Sequence, residues 1–475
     1  MKVILATPPW KTSELWPPLG ILYLASSAMS RREDDVKVID AFCENLSTGE
    51  FVDRVVRERP DVLGMNSSTH TFLRAMEAVS EVKKLLPDTK VVMGGIQATF
   101  AAERIVRGFP FVDFIIKGEA EDSFPHLLDC LERGVEPSPV GGISYLDDGR
   151  FVDNPQNLVS DLDRLPFPAR ELVRNIDYGY AFDNIRLTYG KLTTLCSSRG
   201  CPFQCTFCSC AAFSKRKWRP RSPENVVEEI KQIEGEGYES CVMVDDNLTN
   251  SKKRMEKMCE LIGRSRVDIE FFCEGRVDNA PYSMLKVMKE ANFNIIYFGA
   301  ESASQHVLDY YEKRITPDQT VRAVENAKRA GMVVVTSFII GAPGESREDI
   351  MRTIDLIKRM RPHALQMNIL DCLLGTPIWE VLEREGIVRE DDWQTNHRIY
   401  EYSKGSLPES TLKDLIAEGY VTYVDSWKNM SGALDMLRTL LLNRTARTVA
   451  KRIVLNSRAV DYVRNPAKHQ RPAPP

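Results

Sequence analysis

Short apolar runs alternate with longer amphipathic stretches along most of the chain, and that rhythm predicts an α/β protein. Lys2–Ala6, Val36–Asp40, Asp61–Met65, Val91–Met93 and Phe114–Ile116 read as strands, and segments such as Phe72–Leu86 between them carry helical periodicity. Alternating strands and helices imply a parallel, doubly wound (Rossmann-like) sheet over residues 1–140. Residues 141–190 change character, and the two prolines of Leu162–Pro168 predict an extended linker. The rhythm resumes at Lys191, with strands expected at Leu192–Leu195, Cys241–Val244, Glu270–Cys273, Ile295–Phe298, Val333–Ile340 and Ala364–Ile369. Helical patterns such as Ser222–Glu236 and Pro317–Ala330 separate them, so residues 191–395 predict a partial, TIM-like (β/α)6 barrel. Residues 396–475 read as a helical C-terminal extension, with helices over Thr411–Met430 and Leu434–Arg464.

The strands of the first domain end in small or polar residues: Thr7 and Pro8, Asp40, Ser67-Ser68-Thr69, Gly94-Gly95, and Gly118-Glu119. Ligands on such sheets bind beyond the carboxyl ends of the strands. Glycine there lets a bulky group approach the backbone, and hydroxyls can bond its polar appendages. Tight turns are the plainer reading of any single glycine. Composition narrows the field further. Charged residues are 27% of the 475 and the net charge is -4, which gives no global pull toward nucleic acid. The chain has 11 cysteines and no signal peptide in its sequence, which argues against a disulfide framework and for a reducing, cytoplasmic setting. No apolar run is long enough to cross a bilayer.

The sharpest chemical signal is Cys201-Pro-Phe-Gln-Cys205-Thr-Phe-Cys208. Cysteine thiolates are the usual ligands of a [4Fe–4S] cluster. Three thiols on one loop leave the fourth iron open to a substrate or cofactor. A closed zinc site wants four ligands, commonly as paired C-x-x-C units, and no second pair lies downstream. Cys196, Cys210, Cys241, Cys259, Cys273 and Cys372 fit no second cluster and read as inert thiols, with Cys372 near a barrel strand end.

This loop resembles the signature of radical S-adenosylmethionine (SAM) enzymes. The resemblance implies that the open iron binds the amino and carboxylate groups of SAM, and that the reduced cluster cleaves SAM to a 5′-deoxyadenosyl radical. Cys201, Cys205 and Cys208 are then the cluster ligands, and Phe207 sits near the adenine. Other strand ends supply candidate SAM contacts: Glu301 toward the ribose hydroxyls, Gly341 in Gly341–Glu345 on the adenine side, and Glu274 and Arg276 after the third barrel strand. The planar fork of Arg276 suits the SAM carboxylate, with an ordinary salt bridge as the alternative. Asp245-Asp246-Asn247 replaces the Gly-Gly-Glu of many relatives, so Asp245 is a candidate whose partner is open; a helix cap is the other reading. Leu374–Pro377 looks like the loop that closes over SAM.

The first 140 residues resemble the cobalamin-binding domain fused ahead of many radical SAM barrels. The matching elements are Pro17–Gly20, Gly94-Gly95 with Thr99, and Gly118–Glu121. There is no Asp-x-His-x-x-Gly, so the resemblance implies cobalamin bound without a histidine on cobalt; His70 reads as a surface-loop residue. The implied activity is functionalisation of an unactivated carbon, with C-methylation preferred over cyclisation or ring rearrangement. A methylthiotransferase needs a second cysteine triad, whereas only Cys43 and Cys130 precede the linker. A non-catalytic redox or cobalamin sensor is the remaining class. Implied partners are a flavodoxin- or ferredoxin-type reductant and a small molecule such as a lipid, isoprenoid, tetrapyrrole or natural-product intermediate. The basic helix over Leu434–Arg464 can lie on an anionic membrane or pack on the barrel.

Overall fold

A computed structural model describes residues 1–10, 14–137, 140–182, 185–186, 191–403 and 406–428. The expected basic helix over Leu434–Arg464, and the membrane contact assigned to it, lie outside these residues.

The first sheet contains β1 (Lys2–Thr7), β2 (Asp35–Asp40), β3 (Val62–Asn66), β4 (Lys90–Gly94) and β5 (Phe114–Ile116), parallel and in the order β2-β1-β3-β4-β5. Strand periodicity divides the core between the two faces. Val3 and Leu5 pack with Val36, Val62 and Val92 under helices Leu19–Met29 and Ser123–Arg133. Ile4 and Ala6 pack with Leu63, Val91 and Met93 under helices Thr48–Glu58 and Phe72–Leu85. The winding reverses between β1 and β3, and the crevice at such a switch point is where ligands bind on this architecture.

The sheet continues past residue 140. Strands β6 (Ile143–Asp147) and β7 (Arg150–Asp153) add an antiparallel hairpin to its edge. Asp148 and Gly149 turn it with φ of 41° and 80°, the paired left-handed geometry of a type I′ turn. The start of the expected linker is therefore sheet. The remainder is a strap packed between the domains. Val159, Leu162 and Leu165 lie against Tyr23, and Ala169, Val173 and Tyr178 join the core under helix Leu19–Met29. Arg170, 1% exposed, donates to Thr193 Oγ1 (3.1 Å), Thr194 O (2.7 Å) and Glu229 Oε1 (2.5 Å), which pins the strap to the barrel. Removing one partner of such a buried pair typically costs about 3–5 kcal/mol.

The barrel is an open sheet of six parallel strands in chain order: β8 (Leu192–Leu195), β9 (Ser240–Met243), β10 (Glu270–Gly275), β11 (Phe293–Glu301), β12 (Val333–Ile340) and β13 (Ala364–Ile369). Helices Pro223–Gly235, Lys252–Ser265, Pro317–Ala330 and Arg347–Met360 begin on Ser or Thr caps and cover its outside. After β13 the chain crosses to the first domain. Trp393 packs 5.3 Å from Phe72, and Gln97 Nε2 donates to Trp393 O at 2.5 Å. Helix Glu409–Ser426 then returns and buries Leu412 and Leu415 in the barrel core. Among the described residues the C-terminal part is shared between the two domains. None of their helices is long and apolar enough to cross a membrane.

Candidate active site

The cysteine loop leaves the carboxyl end of β8, where barrel enzymes place their chemistry. A short antiparallel ladder, Ser198–Arg199 with Arg219–Pro220, closes it at the base. Backbone contacts hold its shape. Gly200 N–H donates to Asp246 Oδ2 (2.7 Å), Thr206 N–H to Tyr311 O (3.0 Å), Ile378 N–H to Thr206 O (3.1 Å) and Cys208 N–H to Cys205 O (3.1 Å). Cys205 is buried and Cys201 and Cys208 are half-buried; none is in a disulfide. Burial pushes the Cys201 and Cys205 thiols up, whereas a hydrogen bond from the neighbouring Cys210 holds Cys208 down. A lowered thiol favours the thiolate, the form that binds metal. Among the described residues no three His, Cys, Asp or Glu side chains converge on a single-ion site.

The candidate SAM residues sit in different places around this loop. Phe207 packs edge-on to Tyr311 at 5.2 Å between centroids. Glu301 ends β11 on a bulge with φ 61°, and its carboxylate accepts from buried Lys313 at 2.6 Å. A non-glycine residue held in that conformation is the kind of strain found at functional positions. Arg276 is buried, and its fork is closed on Asp278 (3.0 and 3.1 Å) and Lys313 O (2.7 Å). Glu274 is exposed at the end of β10. Asp245 faces inward and accepts from Ser197 N–H (3.0 Å), Ser197 Oγ (2.7 Å) and Ser198 Oγ (2.6 Å). It binds the loop's root, and its neighbour Asp246 faces the cavity described below. Gly341, at φ 89°, donates to Glu345 Oε2 at 2.5 Å. Burial pushes the Cys259 and Cys372 thiols up to about 12 and Cys273 well above its usual value; Cys196 and Cys210, expected as buried thiols too, are only half-buried and line the cavity described below.

Glu345 gives a pH prediction. Burial pushes its carboxyl up to about 7, and Oε1 has no partner among the described residues. A carboxyl raised in the folded state contributes stability that is full below its ordinary value near 4.5 and lost as pH rises through about 7. Glu345→Gln should therefore raise the thermal midpoint at pH 8 and leave it nearly unchanged at pH 5, read by calorimetry. Equal shifts at both pH values would contradict the assignment.

A cavity of about 570 Å³ opens between the two domains. One wall is the switch-point crevice of the first sheet: Leu5, Met65, Asn66, Val92, Gly94, Gly95, Ile116, Gly118 and Glu119, with Leu19, Gly20 and Tyr23 of the first helix. The other wall is the cysteine loop and its neighbours: Cys196, Arg199, Gly200, Cys208–Cys210, Phe213, Ser214, Val244 and Asp246. No histidine is among the described residues that line it. Gly95 and Gly118 have φ of 92° and 74°, and a Cβ would meet Asn66 and Ser67 at the first and Gln156 and Asn157 at the second within 2.7 Å, so the local backbone itself requires glycine at both. Of the other candidates, Thr7 donates to Asp40 Oδ1 (2.6 Å), Ser67 N–H to Gly94 O (3.0 Å) and Thr69 Oγ1 to Gln97 Oε1 (2.8 Å). Ser68 Oγ pairs with Thr71 Oγ1 at 3.2 Å, and Pro8 is buried. None of these five is among the residues that line the cavity. His70, 3.9 Å from Asp371, is also outside the lining.

Ion pairs bind the two walls together. Glu119 accepts from Arg219 at 2.6 and 2.7 Å, and Glu121 from Arg199 at 2.6 Å. Burial alone would raise Glu119, but the Arg219 bonds outweigh it and hold the carboxyl below its usual range. Arg199 also lies over the Tyr23 ring, 5.0 Å from its centroid. Nothing local in the sequence marks Arg199, Arg219 or Lys313; their partners lie 78, 100 and 12 residues away.

Comparison with known proteins agrees with this geometry. The model of the radical SAM superfamily matches residues 195–357, and that of the B12 binding domain matches residues 11–128. An uncharacterized methyltransferase of Pyrococcus horikoshii is 31% identical over 432 residues, 89% of this chain and 92% of that protein. The chain is a radical SAM enzyme with a B12-binding domain. Its cofactors are a [4Fe–4S] cluster, SAM and cobalamin. The anaerobic magnesium-protoporphyrin IX monomethyl ester cyclase of Rubrivivax gelatinosus is 28% identical over 355 residues, 73% of this chain and 63% of the cyclase, so the chain spans less than two thirds of that enzyme's length. The fold matches the cobalamin-dependent SAM radical enzyme OxsB, solved with aqua-cobalamin and SAM, with TM-score 0.70 and 17% identity over 98% of this chain and 75% of that one. The B12-binding domain thus supplies the glycine-edged wall of the cavity, and the radical SAM barrel supplies the cysteine-bearing wall.

Proposed function

We propose that this enzyme methylates an unactivated carbon of an apolar small molecule. The observation that carries the reading is the shared cavity: the cysteine loop and the B12-binding crevice open into one space. Bound there, the cluster would supply the electron that cleaves SAM reductively, and cobalamin would supply a transferable methyl group. Cys201, Cys205 and Cys208 would hold the cluster, and Phe207, Gly341 and Glu301 would position SAM. Gly94, Gly95, Gly118 and Glu119 would seat the corrin. The Glu119–Arg219 and Glu121–Arg199 pairs would keep the two cofactors in register and bulk water out.

The substrate in this reading is an apolar molecule of the tetrapyrrole, lipid, isoprenoid or natural-product kind. A flavodoxin- or ferredoxin-type protein in a reducing cytoplasm would deliver the electron. Similarity to the magnesium-protoporphyrin cyclase favours a second reading, radical cyclisation without methyl transfer. Incubation with methyl-deuterated SAM, a strong reductant and cell extract separates the two. Methylation predicts label in a product together with 5′-deoxyadenosine. Deoxyadenosine without product label would favour cyclisation.

A further inference from the structure

Two buried cations stand against the Cys205 corner of the cysteine loop. Arg276 is 6% exposed and Lys313 is 8% exposed. The orientation of Arg276 is fixed on almost every side. Its Nε and Nη2 fork the Asp278 carboxylate at 3.0 and 3.1 Å, and Nη2 also donates to Lys313 O at 2.7 Å. Its guanidinium lies over the Phe203 ring, 3.7 Å from the centroid, and Phe203 stands between Cys201 and Cys205 in the loop. The remaining edge, Nη1, points at Cys205 Sγ from 4.0 Å. Lys313 repeats the arrangement more distantly: its Nζ is bonded to Glu301 and lies 5.8 Å from the Phe207 centroid.

A carboxylate fork and an aromatic face are together more than a lone sulfur contact needs. They leave the cationic edge toward the thiol and the neutralising anion on the far side. Cluster potentials respond to hydrogen bonds at sulfur, to nearby charge and to burial, and charges act more strongly where water is excluded. We propose that Arg276 is a positioning residue for the cluster: fixed by Asp278 and Phe203, it donates to the Cys205 thiolate and raises the reduction potential, with Lys313 adding to the same field. The proposal rests on the cluster assignment made above. It also gives the Arg276 fork a partner other than the SAM carboxylate.

The test is an EPR-monitored redox titration of the full chain, reconstituted anaerobically and kept free of SAM. For Arg276→Gln, the ratio of reduced to oxidised cluster at a fixed potential should fall about tenfold, a midpoint about 59 mV more negative for a one-electron couple. Arg276→Lys should restore part of the shift. Asp278→Asn keeps the cation and removes its counter-charge, so its midpoint should move the opposite way; shifts of opposite sign cannot come from loosened packing alone. Unchanged midpoints in Arg276→Gln and Asp278→Asn would overturn the proposal. So would an unchanged midpoint in Arg276→Gln with weakened SAM binding, which would return the residue to the SAM carboxylate. If Arg276→Gln holds no iron, Asp278→Asn decides alone. A wild-type chain that takes up no cluster would overturn the functional reading itself.

Discussion

Replacing any one of Cys201, Cys205 and Cys208 with alanine is expected to abolish 5′-deoxyadenosine formation from SAM, down to the uncatalysed background, while the protein stays folded. The loop has contacts other than its thiols. It is held by backbone bonds from Gly200, Thr206 and Cys208 and by the Ser198–Arg199 ladder. A Cys→Ala change at these positions removes a ligand and leaves those bonds intact. Cys259→Ala is the matching control: this thiol lies in the barrel core on helix Lys252–Ser265, and its loss should leave iron content and SAM cleavage unchanged. Iron and sulfide analysis with product chromatography reads both effects. A triad variant that still cleaves SAM would refute the ligand assignment.

The second large effect is expected from filling the corrin cradle without disturbing its walls. Gly94 and Gly20 both line the cavity. A Cβ at Gly94 meets only Ile116 O, at 3.9 Å, and one at Gly20 meets nothing within 4 Å. Both positions on the cavity lining therefore have room for a larger side chain. Gly94→Leu and Gly20→Trp should each weaken hydroxocobalamin uptake about tenfold to a hundredfold, the ~1–3 kcal/mol usual for overfilling a packed site. The thermal midpoint of the cofactor-free chain should hold. Gly95→Ala is a poor substitute, because its Cβ would meet Asn66 Oδ1 at 2.1 Å and backbone at 2.5 Å. Undiminished corrinoid absorbance in both variants would place the cofactor elsewhere.

Much of this architecture was legible in the chain because parallel strands buried on both faces read as plain apolar runs. All five parallel strands of the first sheet and all six of the barrel fall where those runs lie. The hairpin β6–β7 escaped because an edge hairpin exposes much of its length: Asp147–Arg150 are all exposed, and only the Asp148-Gly149 turn marks it. The cysteine triad stood out because its three thiols are neighbours in sequence. Asp245 shows the opposite case. An acidic pair at a strand end does not reveal which carboxylate turns inward, and here Asp245 meets Ser197 and Ser198 while Asp246 meets the cavity. Arg199 and Arg219 were invisible for a similar reason: their role exists only once Glu121 and Glu119 are folded against them.

The central claim is that three protein sulfurs leave one iron free for SAM, on a loop that faces the corrin crevice. Mössbauer spectra of the chain reconstituted with iron-57, recorded with and without SAM, test it most directly. One iron of the [4Fe–4S] cluster should change its parameters when SAM is added while the other three stay alike. Zinc in place of iron, or a cluster whose four irons are all indifferent to SAM, would contradict the account.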